Sequence, residues 1–217
     1  MNLKLNLLGK VLIINLVCMS SIANLYASIG TGCDSAYVIG QHHYGPFDYM
    51  NAVHRKNKLK IVEIHHFTRS VEMLQKGKSG LIGADLDYTL KSFPNHHRAL
   101  YSMMKYQLTS PEGSRAAIDS MECYFKRAVE INSRDAFVYH LHGIYLHKKI
   151  KYKAALEKYL HALKLSSNNG ELFYNIGLLY FSMKDYDNSL KYAKKAYENK
   201  YPLSGLKLKL QKIGKWK

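Results

Sequence analysis

Tyr174–Glu198 reads YNIGLLYFSMKDYDNSLKYAKKAYE, with aromatics, small residues and lysines at helical spacing on either side of a short polar turn, MKDYD. The same arrangement occurs earlier in the chain. AFVYHLHGIYLHKKIKYKAALEKYLHALKLSSNN, from Ala136, aligns with GELFYNIGLLYFSMKDYDNSLKYAKKAYENKYPL, from Gly170, at an offset of 34 residues. In register, Tyr139 meets Phe173, Gly143 meets Gly177, Tyr152 meets Tyr186, Ala155 meets Ser189 and Ala162 meets Ala196. The two segments are copies of one unit.

Each unit reads as a helical hairpin. A glycine midway along the first helix lets a second helix approach closely, at a cost of about 1 kcal/mol in helix propensity. Small residues on the second helix accept the bulky aromatic of the first, and the tyrosine closing the turn can pack across the pair. Such a hairpin leaves one face uncovered until a neighbour stacks on it. A divergent copy precedes these two, with HHRALYSMMKYQ as its first helix and RAAIDSMECYFKRAVEINS as its second. There Phe125 and Ala128 stand in register with Tyr159 and Ala162, and the connection LTSPEGS is longer than the usual turn. After Pro202, SGLKLKLQKIGKW reads as a final helix covering the last hairpin.

Phe173, Ile176, Gly177, Tyr180, Tyr186, Ser189 and Ala196, with a looser set at Tyr139, Gly143, Tyr152, Ala155, Tyr159 and Ala162, resemble the tetratricopeptide repeat (TPR). The resemblance implies a mostly α fold: a TPR-type array of two clear repeats plus a divergent one, a mixed N-terminal extension and a C-terminal capping helix. The expected divisions are 1–23 for a signal peptide, 24–93 for the extension packed on the array, and 94–217 for the repeats. Within the last, the repeats fall at about 94–135, 136–169 and 170–203, with a cap at 204–217. In the extension, LKIVEIHHF alternates like a strand, SVEMLQKG reads as a short helix ended by glycine, and DLDYTLKSF as another helix.

In TPR arrays the first helices line a concave surface that takes peptide ligands. Carried onto this chain, those positions are Phe137, His140, Ile144, His147 and Lys148 in one repeat and Tyr174, Asn175, Leu178 and Phe181 in the next. Asn175 matches the family's backbone-clamping asparagine; Leu141 holds the equivalent place one repeat earlier. The implied partner is a protein or peptide.

MNLKLNLLGKVLIINLVCMSSIANLYA carries the basic, apolar and small-residue parts of a secretory signal, with a cut expected after Ala23. Its apolar run falls short of the roughly 20 residues a membrane span needs. The chain also resembles exported bacterial TPR proteins in which stretches like YGPFDY, DLDYTLKSFPNHHRAL and YPLSGLKLKLQKIGKW occur together. That resemblance implies the periplasm and no particular activity; an uncleaved anchor in the inner membrane is the alternative. Export would leave Cys33 and Cys123, an even count in an oxidising compartment. A bridge between them closes a loop of about 90 residues, worth about 4.6 kcal/mol in the chain-entropy model; two buried thiols are the other reading.

Thirty-two Lys and Arg against 16 Asp and Glu give a net charge of +16, which attracts acidic surfaces at long range. The basic residues are scattered, without zinc-finger spacing or an aromatic RNA-binding signature, so no specific nucleic-acid role is read. The densest run is the tail, with Lys207, Lys209, Lys212, Lys215 and Lys217, and the alternative reading is a binder of an anionic membrane surface or envelope polymer acting through it. The histidine doublets His42-His43, His65-His66 and His96-His97 cannot each chelate one ion, because neighbouring side chains diverge. QKGKSG lacks the opening glycine of a phosphate loop, and Asp85 and Asp87 read as first-turn acids of a helix. Neither an enzyme, a metal nor a cofactor is expected.

Overall fold

Local signals place five of the described helix starts. Side chains of Asn51, Ser120, Asp135, Asn169 and Asp185 accept hydrogen bonds from amides two or three residues on, satisfying donors that a helix start leaves open. The computed structural model describes Cys33, residues 44–109 and residues 119–216. Two compact units divide at Gln41 and His42; every helix discussed here belongs to the second. The expected signal peptide, the His42-His43 pair, most of the long connection after Leu108 and Lys217 lie outside the described residues.

The helices are α1 (Ala52–His54), α2 (Lys60–His66), α3 (Arg69–Glu72), α4 (Ile82–Ser92), α5 (His97–Thr109), α6 (Met121–Ile131), α7 (Ala136–Lys148), α8 (Tyr152–Leu165), α9 (Gly170–Ser182), α10 (Tyr186–Glu198) and α11 (Gly205–Lys212). A π-helical turn, Arg55–Leu59, joins α1 to α2. Helices α5/α6, α7/α8 and α9/α10 are the three hairpins, and α11 packs against α9 and α10. The array is TPR-like throughout.

Each 34-residue copy repeats its contacts. A Cβ on Gly143 would lie 2.4 Å from the Tyr159 ring, so only glycine lets this fully buried tyrosine seat between α7 and α8. One copy later Ala193 stands in register with Tyr159, and a Cβ on Gly177 would lie 2.6 Å from Leu206, so the cap helix takes the space that the Tyr159 ring fills in the earlier copy. Ser189 replaces the alanine of the earlier copy and donates from Oγ to the Gly177 carbonyl at 2.9 Å, satisfying a hydroxyl with no exposure. Tyr152 meets His147 at 5.7 Å between ring centroids, and Tyr186 meets Phe181 at 5.4 Å, closing the two turns as expected. Ile150 and Lys184, also 34 apart, both take the left-handed conformation at those turns. The amides of Lys151 and Asp185 then reach back to the Leu146 and Tyr180 carbonyls at 2.9 and 3.0 Å, a Schellman stop.

The core runs in three linked clusters. Phe67, Val71, Leu86 and Leu90 share the first with Leu100, Met103, Tyr124 and Phe125. Tyr159, Leu172 and Ile176 centre the second, and Phe173, Ala193, Leu206 and Leu210 the third. Residues ahead of the first hairpin thus use the array's own core.

One expectation about that region is corrected. Residues 60–66 of LKIVEIHHF are helix α2, and the described residues before the first hairpin include no strand, so the described part of the extension is helical rather than mixed. Ile61, Val62 and Ile64 favour a strand by only a few tenths of a kcal/mol each. The Asn51 cap commits the backbone to a helix upstream, and burial of Val62 and Phe67 rewards it. Ile61 and Ile64 stay half exposed.

Buried polar groups tie this region to the hairpins. Asn95, with no exposure, accepts from the Tyr49 amide at 2.8 Å and donates to Asp48 at 2.7 Å and Asp135 at 3.1 Å. Asp48 also accepts from Asn132 at 3.1 Å. Cys33 and Cys123, the pair expected to survive export, are both disulfide-bonded.

Candidate functional site

The first helices α5, α7 and α9 lie side by side, and their outward faces form a trough. Its main cleft, about 390 Å³, is walled by Tyr101, Met104, Lys105 and Leu108 of α5, by Phe137, His140, Leu141, Ile144 and Lys148 of α7, and by Glu171, Tyr174 and Asn175 of α9. Tyr201 and Leu203 close its far end. A second cleft of about 320 Å³ opens at the helix starts among His97, Arg134, Asp135, Phe137, His140 and Leu172. A third, about 190 Å³, lies between Met73, Arg98, Tyr101, Lys105 and Phe137. Phe137 borders all three, so the clefts adjoin one another around its side chain.

Six of the nine groove positions carried over from the sequence line this surface: Phe137, His140, Ile144, Lys148, Tyr174 and Asn175. His147, Leu178 and Phe181 are not among the lining residues. His147 hydrogen-bonds Ser182 at 2.9 Å, and Leu178 and Phe181 pack against the last core cluster. Lys209 Nζ sits over the Phe181 ring at 5.6 Å. Tyr174 is largely buried against Tyr201, with ring centroids 4.7 Å apart, and leaves only an edge in the cleft.

The lining that sequence reasoning missed comes from α5 and from the segment after α10. Tyr101, Lys105 and Leu108 occupy the outward face of the divergent copy, whose long connection obscured its register. Tyr201 and Leu203 follow the last repeat, where no periodicity marks them.

The side chains are held from behind. Phe137 stacks on His97 at 4.3 Å, and His97 Nε2 meets the Asp135 carboxylate at 2.8 and 3.0 Å. Asp135 is buried and also caps α7 through the Phe137 amide at 3.1 Å. Asn175 Nδ2 donates to His140 Nε2 at 2.8 Å. Burial pushes the His140 imidazole down to about 4, so it is neutral at pH 7. Burial also raises the Glu171 carboxyl above its usual range. Lys148 and Arg134 make no ion pair among the described residues, and Lys105 only faces the Tyr101 ring at 5.5 Å; the trough therefore has a cationic bias set in apolar walls.

The other candidate groups have structural work. His65 is exposed, while His66 stacks on Tyr88 and bonds Asp85 at 3.0 Å. His96 bonds Glu63 at 3.2 Å. Asp85 is fully buried. Burial alone would raise its carboxyl, but the Ser79 hydroxyl and amide, His66 and the Lys78 amide outweigh that and hold it below the carboxylate range. QKGKSG is the loop that wraps this carboxylate, a role beyond the expected dipole partner. Ser79, His66 and Asp85 do not form a proton relay, since hydroxyl and carboxylate both approach the same ring nitrogen, Nδ1. Asp87 pairs with Lys91 at 2.7 Å and accepts from the Tyr124 hydroxyl at 2.6 Å.

The basic tail is largely built into the cap. Leu206 and Leu210 are fully buried, Lys207 lies over Trp216 at 5.5 Å, and Lys215 pairs with Asp187 at 3.1 Å. Lys212 remains an exposed cation on α11.

Stacked hairpins whose first helices line a trough are the architecture of a protein-interaction module of the tetratricopeptide class. Residues 146–184 match the TPR repeat family model. Among solved structures it is similar to the crystal structure of MamA, at 17% identity and a TM-score of 0.47 over 68% of this chain and 82% of that one. It is also similar to the crystal structure of YrrB, described as a TPR protein with an unusual peptide-binding site, at 17% identity and a TM-score of 0.39 over 74% and 96%. None of the curated proteins matches it.

Proposed function

We propose that the trough binds an extended segment of a partner protein, and that the chain is a non-catalytic scaffold in an envelope complex of the periplasm. One observation carries the binding mode: three clefts adjoin at Phe137 along the first helices, walled largely by aromatic and aliphatic side chains. A chain segment fits such a shape better than a compact ligand does. Arg134 and Lys148, which make no ion pair among the described residues, favour a segment bearing acidic residues, mainly through association rate and selectivity. The periplasmic placement is supported by the N-terminal layout and by the two disulfide-bonded cysteines, which suit an oxidising compartment.

The test is capture from an envelope extract on wild-type protein, on Phe137→Ala, and on a form carrying Lys209→Ala and Lys212→Ala, at low and high salt. A partner retained by wild type at both salts and lost by Phe137→Ala is the expected result. Capture that vanishes with the lysines or with salt while surviving Phe137→Ala would place binding on the charged cap instead.

A further inference from the structure

The helical rod ahead of the first hairpin leaves one face bare. Helix α1, the π-helical turn and α2 run without a break from Ala52 to His66, about 22 Å at an α-helical rise. Val62 is buried and Leu59, Glu63 and His66 are half-buried, which fixes the inward side. A π turn closes on the fifth residue rather than the fourth, and so absorbs one position. The eight positions from Val53 to Ile61 therefore turn through what seven cover in a plain helix, about two full turns; without the π turn the two would stand about 80° apart. Ile64 follows three residues further on the same side. The outcome is an aliphatic stripe open to solvent, with Val53 63% exposed, Ile61 53% and Ile64 50%.

Two cations stand in that stripe. Lys56 is three residues after Val53 and Lys60 four before Ile64; both are exposed and make no ion pair among the described residues. Their basic neighbours are engaged, Arg55 donating to the Tyr49 carbonyl at 2.9 Å and Lys58 lying over the Phe47 ring at 5.9 Å. Glu63 is the only acid between residues 51 and 66, and His96 at 3.2 Å and Arg98 at 3.6 Å already hold it.

We propose that this face docks flat on an anionic lipid surface: Val53, Ile61 and Ile64 enter the boundary between headgroups and acyl chains, and Lys56 and Lys60 meet lipid phosphates. Aliphatic side chains interleaved with lysines along one side of a helix suit a membrane interface. They suit a protein partner less, since protein interfaces are depleted in lysine and anchored by aromatics, and this stripe has none. Among the described residues no helix is long and apolar enough to cross a membrane, so the contact is one of surface docking. The stripe shares no residue with the three clefts around Phe137, so lipid docking and segment binding make separate demands on the chain.

The test is sedimentation of the full chain with vesicles of phosphatidylcholine and phosphatidylglycerol mixed three to one, and of phosphatidylcholine alone, at physiological salt. Binding to the mixed vesicles only is expected. Because the whole chain is basic, the deciding comparison is between variants that remove equal charge. Lys56→Gln with Lys60→Gln should weaken binding about 30-fold, and Lys209→Gln with Lys212→Gln far less. Ile61→Ser with Ile64→Ser should weaken it about 10-fold with the charge unchanged. A direct readout needs no loss of binding: in a Trp216→Phe background, the emission of Ile64→Trp should shift to the blue on mixed vesicles and be quenched by lipid brominated on its acyl chains. Equal losses from the two lysine pairs would mean undirected attraction of a basic chain. That result, an unquenched Ile64→Trp signal, or no vesicle binding at all overturns the inference. Self-association abolished by Ile61→Ser with Ile64→Ser, or a protein captured through Lys56 and Lys60, in either case without vesicle binding, would overturn it in favour of a second copy or an acidic protein. Phe137→Ala should bind vesicles as wild type does, so this inference and the groove reading fail separately.

Discussion

Residues 136–203 and residues 44–96 are both helical and share a core, yet they are held in different ways. In the repeats, each helix meets its neighbours through positions recurring every 34 residues, and Gly143 with Tyr159 or Gly177 with Ser189 lie 12 to 16 positions apart in the chain. Ahead of them, order depends on polar contacts spanning much longer separations: Tyr49 to Asn95, Asn95 to Asp135, Asp48 to Asn132. Short-range packing repeated in register is robust and can be read locally. A web of buried hydrogen bonds is specific, but a single broken member leaves several groups unsatisfied.

Three changes would break or sharpen that contrast. The largest effect is expected from Tyr159→Ala. Its ring fills the space against Gly143 with no exposure, so its loss leaves a cavity and should cost about 4 kcal/mol in denaturant melts. Protection from hydrogen exchange should fall across α7 to α9 together, as expected of neighbours stabilised by stacking. Protection lost in α8 alone would show the repeats to be less coupled than their contacts imply.

Asn95→Ala should cost somewhat less, about 3 kcal/mol, because Asp48, Asp135 and the Tyr49 amide each lose a partner. Here the loss should be uneven. Amides of residues 44–66 should exchange faster, while those of α9 to α11 keep wild-type protection. Uniform loss throughout would abolish the distinction between the two regions.

The third effect is set by pH. The unfolded chain takes up a proton on residue 140 near the ordinary histidine value of 6.5, whereas the folded chain does so only near about 4. Between those values unfolding binds a proton, so His140 lowers stability as pH falls through that window, by at most about 3 kcal/mol. Melts of His140→Phe should be flatter than wild type from pH 6.5 to 4 and no less stable at pH 7. The Asp85 contribution has the opposite carboxylate origin and a lower window: present above its unfolded value and lost as pH falls through the depressed folded one. A wild-type profile that matches His140→Phe would mean that residue 140 titrates normally in the folded chain.

Much of the array could be read from the chain, since Gly143, Tyr159, Ala162 and their partners 34 residues on carry a helix-pair pattern within one window. On α7 and α9 the tetratricopeptide resemblance implied groove positions, of which Phe137, His140, Ile144, Lys148, Tyr174 and Asn175 line the main cleft. His147 and Phe181 share the same periodicity but pack at the turns, because a spacing of four does not say where the cleft ends. Tyr101 and Lys105 were missed for the converse reason, a first helix whose hairpin connection is too long to hold the repeat in register. LKIVEIHHF shows a third limit, since its alternation was local while the cap and the burial that made it helical were not.

By itself the sequence determined the hairpins, their order, their second-helix contacts and the capping of the last one. These rest on residues close in the chain, where spacing and side-chain size leave few alternatives. Only the tertiary structure decided that Asn95 joins Asp48 to Asp135, that a lysine loop wraps Asp85, that α5 completes the trough, and that Asn175 pairs with His140. Those pairings join residues with no common periodicity, and a hydrogen bond between distant side chains leaves no pattern in the chain until packing has brought them together.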